Sequence, residues 1–193
     1  VFANDSAADF NQDFLPDTNC GDDCAKLNIV APTIVNVGDE FEMVLTWYDI
    51  TYDETYPGEV TSSIDVYFNI DTRYIRFTGL KGIDGLTEND IENMCSGPKE
   101  GTDYGESYMQ LLKVAVFLKT EAAREACKDS FVIRLGLKAV AVGTTDPAQW
   151  DCCMLGSYPD GTGYTVISDV DNANGAEFGW TVKVVGEGSG DSS

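Results

Sequence analysis

The side chains best suited to hold an ion are grouped near the C-terminus. Oxygen-bearing residues alternate there with apolar ones, followed by a glycine and a later carboxylate: Asp169, Asp171, Asn172, Asn174, Gly175 and Glu177. Oxygen ligands around a glycine turn are typical of calcium loops. The order differs from that of the usual loop, because Ala173 takes the fifth place and the glycine comes one residue late. We expect either a Ca²⁺ site formed by Asp169, Asp171, Asn174 and Glu177, or an acidic hairpin loop that turns at Asn174-Gly175.

The six cysteines are the other reactive side chains: Cys20, Cys24, Cys95, Cys127, Cys152 and Cys153. Their spacing does not match that of a zinc site, and the chain has no histidine to complete one. An even number of cysteines in an acidic, β-rich chain is typical of disulfides in an oxidising compartment. All six are disulfide candidates, and the sequence does not choose the pairing. Strain disfavours a bond between the neighbours Cys152 and Cys153, so one of them is expected to reach a distant partner.

Catalysis and nucleic-acid binding are not indicated. Without histidine, Ser-His-Asp and Cys-His arrangements are impossible, and neither a P-loop nor a dinucleotide-binding glycine motif is present. The chain has 33 Asp and Glu residues against 12 Lys and Arg, a net charge of −21. Such a charge repels phosphates and attracts cations. It indicates either a solvated surface that keeps the protein soluble or carboxylates that bind a hard cation. We predict that the protein is not an enzyme and that it has no nucleic-acid partner.

The segment from Ser62 to Leu80 gives the clearest view of the elements that position these residues. Apolar side chains alternate with polar ones through Ile70 and again after Asp71-Thr72. Period-two alternation places one apolar face on a half-buried sheet. We expect two strands joined by a bend, near the middle of an antiparallel sandwich.

The remaining pattern predicts an all-β fold. Strands are expected at Phe41–Trp47, Val114–Leu118, Phe131–Leu137, Tyr164–Ile167 and Trp180–Val185. Pro32 interrupts residues 26–37, which indicates an edge or sheet-switching strand. Short helices are expected from Thr87 to Met94 or Cys95, with helix capping explaining the acidic cluster Asp84, Glu88 and Asp90, and within Thr120–Asp129. About eight or nine strands predict an antiparallel β-sandwich, Ig-like or jelly-roll, spanning residues 27–185. The pattern contains no apolar run long enough to span a membrane.

The two ends of the chain differ from this domain. Residues 1–26 are acidic and without period, which predicts an extended arm, and residues 186–193 form a polar Gly/Ser tail. Isolated apolar residues punctuate the arm: Phe2, Phe10, Phe14 and Leu15. They are candidates for docking on a neighbouring subunit. The alternative is that the arm lies on its own domain, tethered through Cys20 or Cys24.

Aromatic residues offer a second kind of binding surface. Trp47, Tyr48, Tyr52 and Tyr56 could together stack on a glycan. Trp47, however, falls on the apolar face of its predicted strand. We therefore expect Trp47 in the core and keep the loop tyrosines as candidate glycan contacts.

The order of the predicted elements resembles that of cohesins and related surface modules of exported microbial proteins. Three segments carry the resemblance: VNVGDEFEMVLTW, IDVYFNIDTRYIRFTGL and KVAVFLKTEAAREACKDSFVIRL. Together they fall within residues 27–142. Six cysteines, the acidic arm and the insertion at 80–108 depart from the cohesin pattern. The resemblance implies an exported, non-catalytic β-sandwich that acts in recognition or structure.

These features lead to two functional hypotheses. The first is a structural subunit of an extracellular filament, sheath or surface layer. Copies of the chain would be linked by strand donation from the arm and reinforced by disulfides. The alternative is a cohesin-like or carbohydrate-binding adhesion module at the cell surface, with a surface protein or glycan as its partner.

Overall fold

Strands dominate the part of the chain that the computed structural model describes, which is residues 25–50, 60–157, 165–172 and 179–186. They are β1 (Ala25–Val30), β2 (Ile34–Asn36), β3 (Glu40–Tyr48), β4 (Ser63–Asp71), β5 (Ile75–Ile83), β6 (Ile91–Asn93), β7 (Met109–Leu118), β8 (Phe131–Ala139), β9 (Gly143–Thr144), β10 (Gln149–Ser157), β11 (Thr165–Asn172) and β12 (Lys183–Val185). A 3-10 turn (Glu88–Asp90) and a short helix, α1 (Glu121–Ala126), lie between strands. Within these ranges, no helix is long and apolar enough to cross a membrane.

Nine of the strands form two layers that enclose one core. They are hydrogen-bonded in the order β5-β8-β3-β1-β11-β10-β4-β7-β6, and the parallel pair β1–β11 joins the layers. The inward residues of both layers belong to one apolar cluster. This arrangement confirms the predicted all-β sandwich. We call the outward surface of β5-β8-β3-β1 the front face and that of β10-β4-β7 the back face.

The two strands of the segment 62–80 lie in different layers. β4 lies between β10 and β7, whereas β5 forms the edge of the other layer beside β8. Their alternation places Ile64, Val66 and Ile75 in the core, each fully buried. The predicted pair of strands is confirmed. Its bend carries the chain from one layer to the other, which leaves β5 at an edge.

Proline separates β1 from β2, as the sequence indicates for a sheet-switching segment. β1 pairs with β3 in the front layer, and β2 pairs with β12 in a small sheet of order β2-β12-β9. The indole nitrogen of Trp180 donates to the carbonyl oxygen of Pro32 at 3.0 Å. This bond holds the switch between the two sheets.

The segment after Thr87 differs from the predicted helix. The capping interactions form, with the Thr87 amide donating to Asp90 Oδ2 at 2.9 Å. The helix nevertheless stops after one 3-10 turn, because Ile91 starts β6 and pairs with Leu118 of β7. Pairing with a neighbouring strand therefore overrides the capping signal. The other predicted helix is confirmed as α1, and Thr120 Oγ1 caps it by accepting from the Ala123 amide at 3.0 Å.

One further strand and two strand boundaries differ from the prediction. The strand β10 was not predicted from the sequence, because turn signals surround it. Its register with β4 shifts between Trp150 and Cys152. β11 extends to Asn172, beyond the predicted end at Ile167. β1 starts at Ala25, so the last two residues of the predicted arm belong to the sandwich.

Candidate functional site

Two strands of the front face, β5 and β8, concentrate the scarce basic residues of this chain, and Glu40 and Glu42 of β3 lie beside them. β5 and β8 are neighbours that contain no Asp or Glu, and they carry four of the 12 Lys and Arg residues: Arg76, Lys81, Arg134 and Lys138. None of these four residues is a site residue predicted from the sequence. The absence of acidic residues from IRFTGLKGI and FVIRLGLKA is the signal that could have found them.

Arg134 makes the most hydrogen bonds of these cations to described residues. Its Nε and Nη2 donate to the two carboxylate oxygens of Asp84 at 2.8 and 3.0 Å, and its Nη1 donates to Glu42 Oε1 at 3.3 Å. The bonds from Arg134 lower the pKa of Asp84. A guanidinium group has five N–H donors. Three of them fix the side chain, which leaves two for a partner.

The other front-face cations are held by different contacts. Arg76 Nε donates to the Thr72 carbonyl at 2.9 Å, and its guanidinium lies 5.1 Å from the Tyr104 ring centroid. Lys138 forms an ion pair with Glu100 at 3.1 Å. Gly136 leaves room for Lys81, because a Cβ on this glycine would overlap the Lys81 Cε and Thr78 Oγ1 atoms. Contacts with neighbouring residues therefore fix the positions of these cations.

An apolar strip adjoins the cations. Val30 of β1 lies opposite Val44 of β3, and Val44 lies opposite Arg134. Val30 is 58% exposed. Arginine is enriched at protein–protein interfaces, and Val30 adds exposed apolar area beside it.

A second polar cluster joins the β4–β5 bend to the loop before β10. Arg73 donates to both carboxylate oxygens of buried Asp71, at 3.0 and 2.8 Å, and lies 3.8 Å from the Tyr108 ring centroid. Tyr108 Oη donates to Asp146 Oδ2 at 2.6 Å, and the Asp146 amide donates to Asp71 at 2.8 Å. Burial opposes ionisation of Asp71, but these donors outweigh it and lower its pKa. These donors occupy both carboxylate oxygens of Asp71. The role that follows for this cluster is structural: it joins the β4–β5 bend to the loop before β10.

Asp65 and Asp71 of β4 do not form the pair of carboxylates that a glycosidase uses. Burial raises the pKa of Asp65, which accepts from Tyr67 Oη at 3.0 Å. An acid with a raised pKa and a carboxylate with a lowered one would be the required pair. Asp71, however, lies six residues further along β4, which corresponds to roughly 20 Å. Glycosidase carboxylates lie about 5–10 Å apart.

The predicted calcium ligands fall only partly within the described residues. Asp169 and Asp171 lie in β11, where they pair with Met154 and Lys26, so the strand covers half of the predicted loop. Asn174 and Glu177 lie outside the described residues. Within the described ranges, no group of His, Cys, Asp and Glu is arranged to hold a metal. Calcium binding stays a prediction.

Two cysteines in the described part of the chain, Cys95 and Cys127, do not form the predicted disulfides. Cys95 and Cys127 carry free thiols, and burial raises the pKa of each to about 11. Cys95 Sγ contacts the Ala115 carbonyl, whereas Cys127 lies in the core at the end of α1. The two thiols therefore lie in separate packing environments, and neither forms a disulfide bond. Cys153 is buried, and Cys152 lies opposite Tyr67 in the β10–β4 register. Cys20 and Cys24 lie outside the described residues.

The aromatic residues predicted to bind a glycan lie partly inside and partly outside the described residues. Trp47 is fully buried and stacks on Phe131 with a centroid distance of 4.9 Å, so its predicted place in the core is confirmed. Tyr48 ends β3. Tyr52 and Tyr56 lie outside the described residues, as do the four arm residues Phe2, Phe10, Phe14 and Leu15. A glycan site and an arm-mediated subunit contact stay predictions.

The two edges of the nine-stranded sheet, β5 and β6, differ from the open edges that strand donation requires. The loop at 96–99 covers β5, with the Phe77 amide donating to the Pro98 carbonyl at 2.8 Å. The register of β5 also shifts at Gly79 and Gly82, which have φ angles of 129° and 147°. At the other end of the nine-stranded sheet, β6 has three residues. Covered, irregular and short edges disfavour the addition of another strand.

Solved cohesin structures are similar to this chain at low identity. No protein-family model and no curated protein matches the sequence. The chain is similar to a cohesin module from a Clostridium perfringens ATCC13124 family 33 glycoside hydrolase, with 13% identity, a TM-score of 0.47, and 84% of this chain and 98% of that chain covered. It is also similar to a type II cohesin domain from the cellulosome of Acetivibrio cellulolyticus (10% identity, TM-score 0.41, 84% and 91% covered). A third similar structure is AvmM, which catalyses macrocyclization in alchivemycin A biosynthesis (8% identity, TM-score 0.30, 86% and 85% covered). The cohesin resemblance is thus found again among solved structures, and at these values it concerns the β-sandwich fold alone.

Proposed function

We propose that this chain is a non-catalytic recognition module of an extracellular protein, which binds a protein partner through its front face. The ordered group of cations on β5 and β8 carries this proposal, because the rest of the chain is strongly acidic. The extracellular location is part of this proposal and rests on the sequence resemblance to exported surface modules and on the acidic composition. The cysteines do not support it, because Cys95 and Cys127 are free thiols.

The front face suits a partner with carboxylates next to apolar side chains. Arg134 is held in place before binding, so little side-chain entropy is lost when a carboxylate contacts it. Val30 and Val44 supply apolar area beside it. The acidic remainder of the surface repels a partner that approaches in another orientation, which adds specificity.

The edges of the nine-stranded sheet favour this function over that of an assembly subunit. A subunit linked by strand donation needs an accessible edge, and β5 and β6 do not provide one. Electron microscopy of the native protein, with a non-reducing gel of the same sample, separates the two functions. A uniform monomer agrees with the recognition module, and ordered polymers contradict it.

The front face is tested by charge removal. The full chain and the variant Lys81→Ala/Arg134→Ala are used as bait for exported proteins of the source organism. We expect the double variant to lose at least about tenfold in affinity for the captured partner, since hydrogen bonds to charged groups contribute about 1.5–3 kcal/mol. The charge-matched control Lys119→Ala/Lys183→Ala, which lies outside β5 and β8, should bind like the unmodified chain. Equal losses in both variants would show only a net-charge effect and would contradict the proposed face.

A further inference from the structure

The back face contains buried residues that do not belong to the core. Met154 of β10 and Ala115 of β7 are 2% and 8% exposed, yet neither is a member of the core cluster. Both pair with Asp65 of β4, so the three residues form one row across the layer. Their sequence neighbours Leu155, Ile64 and Val116 are core residues. Because side chains alternate along a strand, Met154, Asp65 and Ala115 face outward.

Other residues of the back face also have the character of a covered surface. Ser63 lies two residues before Asp65 and is 6% exposed. Its hydroxyl has no hydrogen-bond partner within the described part of the chain. Phe117, opposite Ser63, is half-buried, and burial raises the pKa of Asp65. A buried, unpaired hydroxyl on an outward face calls for a polar group that lies above it.

We propose that the N-terminal segment of the same chain, residues 1–24, packs on the back face and covers the row Met154–Asp65–Ala115. The chain enters β1 at Ala25, which pairs with Val170 of β11, and the adjacent Asp169 pairs with Met154. Two strand spacings, or about 10 Å, therefore separate the start of β1 from Met154. Twenty-four residues can span several times that distance. The covering segment thus begins beside the surface that it covers.

The composition of the segment fits this surface. Phe2, Phe10, Phe14 and Leu15 supply apolar side chains for Met154, Ala115 and Phe117, and the backbone N–H and C=O groups of the segment can pair with Ser63. Six of its 24 residues are Asp and none is Lys or Arg. Lys113, exposed beside this row with its Nζ 5.7 Å from the Tyr67 ring centroid, gives these carboxylates a counter-charge. Tethering provides a high effective concentration, which favours the chain's own segment over that of a second copy.

The test measures oxidation of individual methionines by dilute peroxide, followed by mass spectrometry of the full chain. Met43 is fully buried and Met94 is 51% exposed, so they serve as internal standards for protection and exposure. We expect Met154 to be protected like Met43 in the unmodified chain. In Phe10→Asp/Phe14→Asp, the Met154 rate should rise at least about tenfold toward that of Met94. Met43 should stay protected, which shows that the sandwich remains folded.

A matched variant and a measurement of mass complete the design. Val142→Asp places a charge on an apolar side chain that is 59% exposed elsewhere on the molecule, and it should leave Met154 protected. The proposal is overturned if Met154 oxidises as fast as Met94 in the unmodified chain, or if the double variant leaves its protection unchanged. Sedimentation should give a monomer at every concentration. A dimer whose dilution exposes Met154 would identify a second copy as the cover and would also overturn the proposal.

Discussion

Two aspartates of β4 show how local environment separates identical side chains. Asp71 is buried but receives hydrogen bonds from the Arg73 guanidinium and from two backbone amides. Asp65 is half-buried and accepts one bond, from Tyr67. Burial opposes the ionised form of both. Donors outweigh it only at Asp71, so the pKa is lowered there and raised at Asp65.

The two aspartates should therefore respond in opposite directions to neutralisation. Asp71→Asn should lower the free energy of unfolding at pH 7 by about 1–3 kcal/mol, because Arg73 loses the nearer of its two carboxylate partners. Asp65→Asn should raise it at pH 7, because the amide keeps an acceptor for Tyr67 and avoids burying a charge. Urea unfolding at several pH values measures both effects.

The pH dependence distinguishes the two cases. A lowered pKa stabilises the fold above the unfolded value of about 3.9, and that contribution is lost as the pH falls through the native pKa. The deficit of Asp71→Asn should therefore shrink below about pH 4. A raised pKa stabilises the fold below about 3.9, and that contribution is lost as the pH rises through the native pKa. The advantage of Asp65→Asn should appear only above that range. Parallel profiles for the two variants would contradict these environments.

At the scale of the elements, the edge strand β5 depends on a loop. Gly97 packs against Phe77, and a Cβ on Gly97 would lie 2.9 Å from the Phe77 Cβ. The same loop covers the strand edge through the bond from Phe77 to Pro98. A short loop thus both completes the packing of β5 and covers its edge.

A methyl group at Gly97 should disturb both roles. We expect Gly97→Ala to lower the free energy of unfolding by about 1–3 kcal/mol through overpacking. It should also increase aggregation, because displacement of the loop exposes the β5 edge. Thermal unfolding and light scattering measure the two effects. Gly186→Ala is the control, since the nearest atom to its added Cβ is Val142 Cγ2 at an ordinary 3.7 Å. Equal stability of the two variants would show that the loop does not hold β5.

At the scale of the whole molecule, the charge of −21 makes any cation stabilising by screening alone. A test for a specific calcium site must therefore compare salts at equal ionic strength. The predicted ligands Asp169 and Asp171 offer a direct comparison with acidic residues elsewhere.

Calcium should raise the melting temperature more than NaCl of the same ionic strength, because a ligand of the folded state stabilises it by mass action. We expect the additional rise at concentrations of about 1–10 mM, as for extracellular calcium modules. Asp169→Asn/Asp171→Asn should abolish it. The charge-matched variant Glu92→Gln/Glu106→Gln, with both residues exposed, should retain it. A rise equal to that in NaCl would instead support the acidic hairpin loop.

The alternation of apolar and polar residues determined most of this fold. It predicts β3, β4, β5 and β8 and places Trp47 in the core, because side-chain direction in a strand follows sequence position. The alternation did not predict β10, because turn signals surround this segment. Pairing with β4 on one side and β11 on the other nevertheless makes it a strand. Helix capping after Thr87 was also predicted, but the pairing of β6 with β7 ended the helix.

The front and back faces were decided by tertiary structure alone. Arg134 meets Asp84 and Glu42 from 50 and 92 residues away in the sequence. Met154 and Ala115 share a row because β4 lies between their strands. Strand order and register depend on contacts between distant residues, and neither follows from a local pattern. The sequence thus determines which side chains point outward, and the packing of the strands determines which of them form one surface.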